Sequence, residues 1–254
     1  MKKILSTLAC GILLASTASA DITRVEMGVG AWAQNSSGDL TYTSSGGTGN
    51  DKSLEKDNTS AYAWLLVKHP IPILPNLRVE YASIKNSGSA TGSFKEFSVT
   101  GAADTTLEMQ QFDIIPYYNI LDNTAWTTLD IGIDAKVTNI SYEATGNITI
   151  NGVANSSYSD SITLPIPLLY VRARVQIPAT NIGFEADAKY IAYSSSSMYD
   201  VRAKVDYTLG FIPVLKPAVE VGYRVQKIKI DEKETDATMD LTFAGAYAGL
   251  MLRF

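Results

Sequence analysis

Asp130 and Asp134 stand on one side of the alternating stretch LDIGIDAKVT, with Lys136 next along that side. Paired carboxylates can do acid/base chemistry, but only when they lie close enough to share a proton. Positions four apart on a strand are separated by about 13 Å, so this pair belongs to a charged stripe and not to a proton-sharing dyad. The same alternation sets Arg24 with Glu26, Arg172 with Arg174, Glu185 with Asp187 and Lys189, Arg202 with Lys204, and Glu220 with Arg224. The chemistry open to such a set is ion pairing in an enclosed space. Arg172, Arg174, Arg202 and Lys204 are the expected partners of Asp130 and Asp134.

Other reactive residues are sparse. The single histidine, His69, precedes Pro70 in a turn-like segment, which suits a residue capping a strand end better than a general base. Metal binding would fall to scattered loop carboxylates such as Asp51, Glu55 and Asp57, and they carry no calcium-loop motif. They read as solvated, and no metal or cofactor is expected. Trp32, Trp64 and Trp126, with Tyr118, Tyr190, Tyr207 and Tyr223, could stack on sugars, but tyrosines near strand ends on an apolar face fit an interfacial girdle. The Asn-x-Ser/Thr triplets are what Ser- and Thr-rich segments contain by chance.

The elements that must position the charged stripe are strands. Ten runs alternate apolar with polar or small residues, near 22–35, 59–69, 76–86, 104–119, 124–142, 160–176, 181–194, 198–211, 217–232 and 237–254. In FEADAKYIAY, Phe184, Ala186, Ala188, Tyr190 and Ala192 share one face while Glu185, Asp187 and Lys189 share the other. The connections are asymmetric. Residues 36–58, 87–103 and 143–159 read as long polar loops on one side, together with the short connections 194–197 and 233–236. The turns PIPILP, ILDN, IPATN and FIPVLK fall on the other side, with both termini.

The first 20 residues, MKKILSTLACGILLASTASA, carry a basic start, an apolar stretch and a small-x-small ending, the pattern of a cleaved export signal. Cys10 lies inside the apolar stretch and would leave with it, so a mature chain from Asp21 to Phe254, one barrel domain, has no disulfide to rely on. Lys2 and Lys3 leave too, moving the formal charge from −5 to −7. With no Lys/Arg cluster, nucleic acid is excluded as a partner.

Alternation alone does not say which face is buried, and a soluble sandwich or lipocalin-like barrel would show the same stripes. Full charges of both signs in mid-strand suit a polar interior, whereas the facing Val, Ala, Leu, Ile and Tyr suit a lipid-facing band. The expected fold is therefore all-β, an antiparallel up-and-down transmembrane β-barrel of about ten strands, with eight or twelve as alternatives.

In FAGAYAGLMLRF, Leu250, Leu252 and Phe254 continue the outward stripe. A terminal aromatic with apolar residues two and four places before it resembles the sorting signal read by the outer-membrane assembly machinery of Gram-negative bacteria. The whole mature chain, with its opening MGVGAWAQ and its IP-x-L turns, resembles an uncharacterised family of small proteobacterial outer-membrane β-barrel proteins. That resemblance implies a fold, a location with extracellular loops and periplasmic termini, and passage by periplasmic chaperones, but no activity.

Strand number is also that of the omptin-type outer-membrane proteases, whose extracellular site needs Asp pairs and a histidine. His69 falls at the opposite end, which removes that pattern and equally that of a His-Ser lipid A deacylase. An eight-stranded barrel is about filled by its own side chains and 16 or more strands are needed for an open channel. The expectation is thus a largely plugged barrel with a structural or surface-interaction role and no enzymatic activity. A narrow pore for small solutes and a surface hydrolase of unrecognised type are the alternatives.

Overall fold

A computed structural model describes residues 23–44, 47–52, 58–71, 73–210, 215–232 and 237–254. The expected signal at 1–20, Cys10, Glu55, Asp57, most of the FIPVLK turn and the 233–236 connection lie outside the described residues. The strands are β1 (Arg24–Ser44), β2 (Gly47–Asp51), β3 (Asn58–Lys68), β4 (Asn76–Ser93), β5 (Ser98–Thr124), β6 (Thr127–Ile150), β7 (Val153–Gln176), β8 (Ile182–Tyr193), β9 (Ser196–Thr208), β10 (Lys216–Glu232) and β11 (Ala237–Arg253). Every pairing is antiparallel between near neighbours, and β11 returns to β1 from Glu26↔Arg253 to Tyr42↔Ala237. Ten strands close the ring. The short β2 sits above β3, between the upper parts of β1 and β4.

Closure fixes parity, because successive side chains on a strand point to opposite faces. The charged set faces inward: Glu26, Asp130, Asp134, Lys136, Lys189 and Glu220 are all buried. Val29, Ile133, Leu169, Val221 and Leu250, from five different strands, point outward and are 58, 57, 69, 57 and 65% exposed. A belt of this kind around a whole molecule far exceeds the apolar patch a water-soluble monomer tolerates. It is the surface of a barrel solvated by hydrocarbon. Away from the termini the belt ends at Ser83, Gln110, Asn139 and Thr163, which are register neighbours on four successive strands.

The expected long loops are mostly sheet. The segments read as loops at 36–58, 87–103 and 143–159 instead extend β1, β4, β5, β6 and β7 beyond the belt as a tall wall. Their polar residues hid them, since a strand with water on its outer face and a rim inside loses the apolar alternation. One signal was available: Asn151-Gly152, with φ of 50° and 81°, is the tight turn that joins β6 to β7. The wall is held together on its inner side by Ala90, Phe97, Val99, Ala103, Ala144 and Ile148. Phe97 stacks on Phe94 and Tyr158 at centroid distances of 4.7 and 4.4 Å.

Glycine lets large rings lie flat against the inside of the barrel. A Cβ at inward-facing Gly28 would sit 2.4 Å from the Trp64 indole nitrogen. Gly28→Leu should therefore destabilise the barrel by ~1–3 kcal/mol through overpacking, read as a lower urea midpoint in detergent. Gly152→Ala meets nothing within 4 Å and should cost only the ~1 kcal/mol of a strained positive φ.

Candidate functional site

Among the described residues, most of the charged side chains predicted from the sequence converge in the lumen, and it is layered. At the end carrying the termini, Glu26 accepts hydrogen bonds from Arg24, the shortest 2.6 Å, and lies 2.8 Å from the Arg253 guanidinium. Arg253 also approaches Asp206 at 2.8 Å, and Asp206 accepts from Arg174. Arg172 donates to Asp130 at 2.6 Å and to Glu185 at 2.7 Å.

In the middle, Glu80 gathers Arg78, Arg202 and Lys189. Asp187 accepts from Arg202, and Glu220 accepts from Lys204 at 2.9 Å, from the Tyr62 hydroxyl at 2.7 Å and from the Trp64 indole at 3.2 Å. Lys136 donates to both oxygens of Asp113 at 2.7 Å, and Arg224 donates to both oxygens of Asp200. Arg224 lies over the Trp32 ring at 4.5 Å, and Lys204 over Trp64 at 4.5 Å. These lumenal cations and carboxylates, Asp134 included, are equal in number. An interior without net charge is what makes so many buried ions tolerable.

All fourteen positions expected from the charged stripe face this network, Arg24 at its margin. Asp130 meets Arg172 as expected, but Asp134 does not meet an arginine. Its nearest cation is Lys189 at 3.5 Å, whose ammonium is already donated to Glu80 and Asp113, and neither Asp134 oxygen has a hydrogen-bond partner. The reason is register: Asp134 is level with Leu168 on β7, two inward positions beyond Arg172, with Tyr170 between. Six members escaped the sequence reading of the site: Arg78, Glu80, Asp113, Asp200, Asp206 and Arg253. Alternation marks them, since Arg78 and Glu80 interleave with Leu77, Val79 and Tyr81, and Asp200 and Asp206 flank Arg202 and Lys204 on one face.

Beyond the ions, away from the termini, the lumen becomes apolar. Ile84, Leu107, Met109, Met198, Ile228, Leu241 and Phe243 are buried there, with Leu164, Ile166, Ile191, Ile230 and Met239 packed against them. Polar alternation did not announce this lid. Trp32 and Trp64 are also inside, 1 and 5% exposed, whereas Trp126, Tyr118, Tyr190, Tyr207 and Tyr223 are outward. Among the described residues, the cavity between Trp32, Trp64, Arg202 and Glu220 measures about 10 Å³, room for about one water.

The remaining candidates have other settings. The Nδ1 of His69 accepts from the Ile71 amide at 3.2 Å, so its Nε2–H donates to the Pro75 carbonyl at 3.0 Å. Both ring nitrogens thus serve the turn. Asp51 accepts from the Tyr142 hydroxyl at 2.7 Å and from Thr105 at 3.1 Å, inside the tall wall. Burial, and then the Asp51 carboxylate, push the Tyr142 phenol up. On the outer side of that wall an open groove of about 420 Å³ is lined by Lys85, Glu108, Glu143 and Asp160 among serines. Leu250 and Leu252 pair with Val29 and Met27, and the Phe254 amide donates to the Val25 carbonyl at 2.9 Å.

No family model and no curated protein matches the chain. Among solved structures it is similar to the outer membrane protease OmpT of Escherichia coli, at 10% identity and a TM-score of 0.52, covering 94% of this chain and 100% of that one. Two further likenesses are fainter. The toluene transporter TodX of P. putida matches at 9% identity and a TM-score of 0.28, covering 92 and 90% of the chains. OpdK of Pseudomonas aeruginosa, solved with vanillate, matches at 7% and 0.28, covering 91 and 99%. At such identities the OmpT likeness carries the fold, an outer-membrane-type β-barrel, and nothing about chemistry.

Glu80 is shared by three cations, Arg78, Lys189 and Arg202. Glu80→Gln strips the counter-charge from three cations at once and should lower stability by ~3–5 kcal/mol, the cost of an uncompensated buried charge. Urea unfolding in lipid vesicles reads this directly. Lys227→Gln, which breaks the outward pair with Asp240, should leave the midpoint unchanged.

Proposed function

We propose that this chain is an integral outer-membrane barrel that does not conduct and that acts through its protruding wall. The observation that supports this reading is the filled lumen. Cations and carboxylates balance across it, an apolar lid covers them on one side, and the cavity between Trp32, Trp64, Arg202 and Glu220 measures about 10 Å³, room for about one water. In this reading the tall wall is extracellular and the turns at the other end, including His69 and Ala179, are periplasmic, following the asymmetry usual for such barrels. No catalytic residue is assigned. The outer groove, with carboxylates outnumbering its lysine, is where a partner would dock.

Assembly fits the same picture. Leu250, Leu252 and Phe254 lie on the outward side of the closing strand, where assembly machinery and periplasmic chaperones would read them before the ladder with β1 forms. The barrel's partner once assembled is outer-membrane lipid.

Planar bilayers test the closed lumen. The refolded protein should give no steady single-channel steps at neutral pH, and regular steps in every insertion would establish the pore instead. Orientation is tested on intact cells with an impermeant maleimide. Ser156→Cys should label and Ala179→Cys should label only after lysis, and the opposite pattern would invert the barrel.

A further inference from the structure

We propose that the barrel wall is breached between β7 and β8, and that the acyl chain of a lipid from the surrounding leaflet seats in the breach against the apolar lid. The inference rests on the membrane-barrel reading above and adds a ligand class to it.

The observation is a ladder that stops short. β7 and β8 pair from Gln176↔Gly183 to Leu169↔Tyr190 and no further, although β8 runs on to Tyr193 and β7 back to Val153. Over that unpaired stretch β7 keeps its pairing with β6, through Pro167↔Ala135 and Pro165↔Val137. Proline has no N–H to give and is accepted in sheets with that side turned away from a partner strand. With the β6 ladder intact, the donorless side faces β8. Unpaired backbone donors are costly in hydrocarbon, and the two prolines remove two of them at the place where the wall opens.

The breach joins two apolar surfaces. On the outside, Leu169 and Tyr190 of the last rung are 69 and 52% exposed and belong to the belt, whose upper limit on β7 is Thr163. The opening therefore begins within the zone that hydrocarbon already covers. On the inside, Leu164, Ile166 and Ile191 are only partly buried and pack against the lid. The depth is limited by charge: Asp134 lies on the rung of Leu168, and Lys189 on that of Tyr170. A chain entering from the belt meets leucine and isoleucine side chains and then an ionic floor, which selects a flexible hydrocarbon tail and keeps any headgroup outside.

The test uses the full protein refolded in phosphatidylcholine vesicles doped with a phospholipid that carries a diazirine midway along one acyl chain. After irradiation, mass spectrometry should find label on Leu164, Ile166 or Ile191 as well as on outward Leu169 and Val221. Label confined to the outward residues would overturn the proposal. In a Pro167→Cys/Ala192→Cys variant, oxidation ties β7 to β8, and inward label should fall severalfold while label on Val221 holds, with recovery on reduction. Inward label unaffected by the closed bridge would overturn the lateral route. Inward label in a protein that also conducts ions would sink the closed-lumen reading and leave this one standing.

Discussion

Everything in this molecule follows from a closed antiparallel ladder. A strand carries one donor and one acceptor per residue, and hydrocarbon offers neither a partner. The first and last strands must therefore meet, as β1 and β11 do. Once the ring is closed, the two-residue period is no longer a local preference. It divides the chain into an outward set that must be apolar and an inward set free to be anything, and the sequence uses that freedom for charge.

Charge inside a barrel brings its own constraint. An isolated ion there would be prohibitively desolvated, so the lumen works only as a balanced whole. That is why carboxylates such as Glu80, Glu185 and Asp113 each serve several cations, and why Trp32 and Trp64 lie beneath Arg224 and Lys204 where a wall of aliphatic residues would offer them nothing. The inward glycines of β1 and β11 belong to the same solution, since they supply the space the rings occupy. Filling is thus a product of neutralisation: each long side chain brought in to pair a charge also takes up volume.

The belt and the charged stripe were legible in the sequence because they are two faces of one alternation, and alternation survives without any knowledge of partners. The partners themselves were not. Asp134 was expected to meet Arg172, Arg174, Arg202 or Lys204 and lies instead beside Lys189, because register between β6 and β7 decides what is level with what, and no single strand encodes it. The lid was illegible for a related reason. Ile84 and Met198 occupy inward positions on strands that also point Arg78 and Glu80, or Asp200, Arg202, Lys204 and Asp206, inward, so along either strand they read as a lapse in pattern. The tall wall was hidden by its polarity, although Asn151-Gly152 marked its turn.

That wall also explains where the ladder fails to be continuous. β6 and β7 rise together well past the belt, whereas β8 and β9 turn back at Ser194 and Ser195, close to its upper edge. Two hairpins of such unequal height share only the lower part of their common border, and the taller one must end that border on an unpaired edge. An exposed edge is an invitation to unwanted strand pairing. β7 answers it with Pro165 and Pro167 directly above the last rung, and with four serines and Asn155 beyond. The same residues that protect the edge leave the wall unsealed beside the apolar lid, so the step in height and the opening in the belt have one cause.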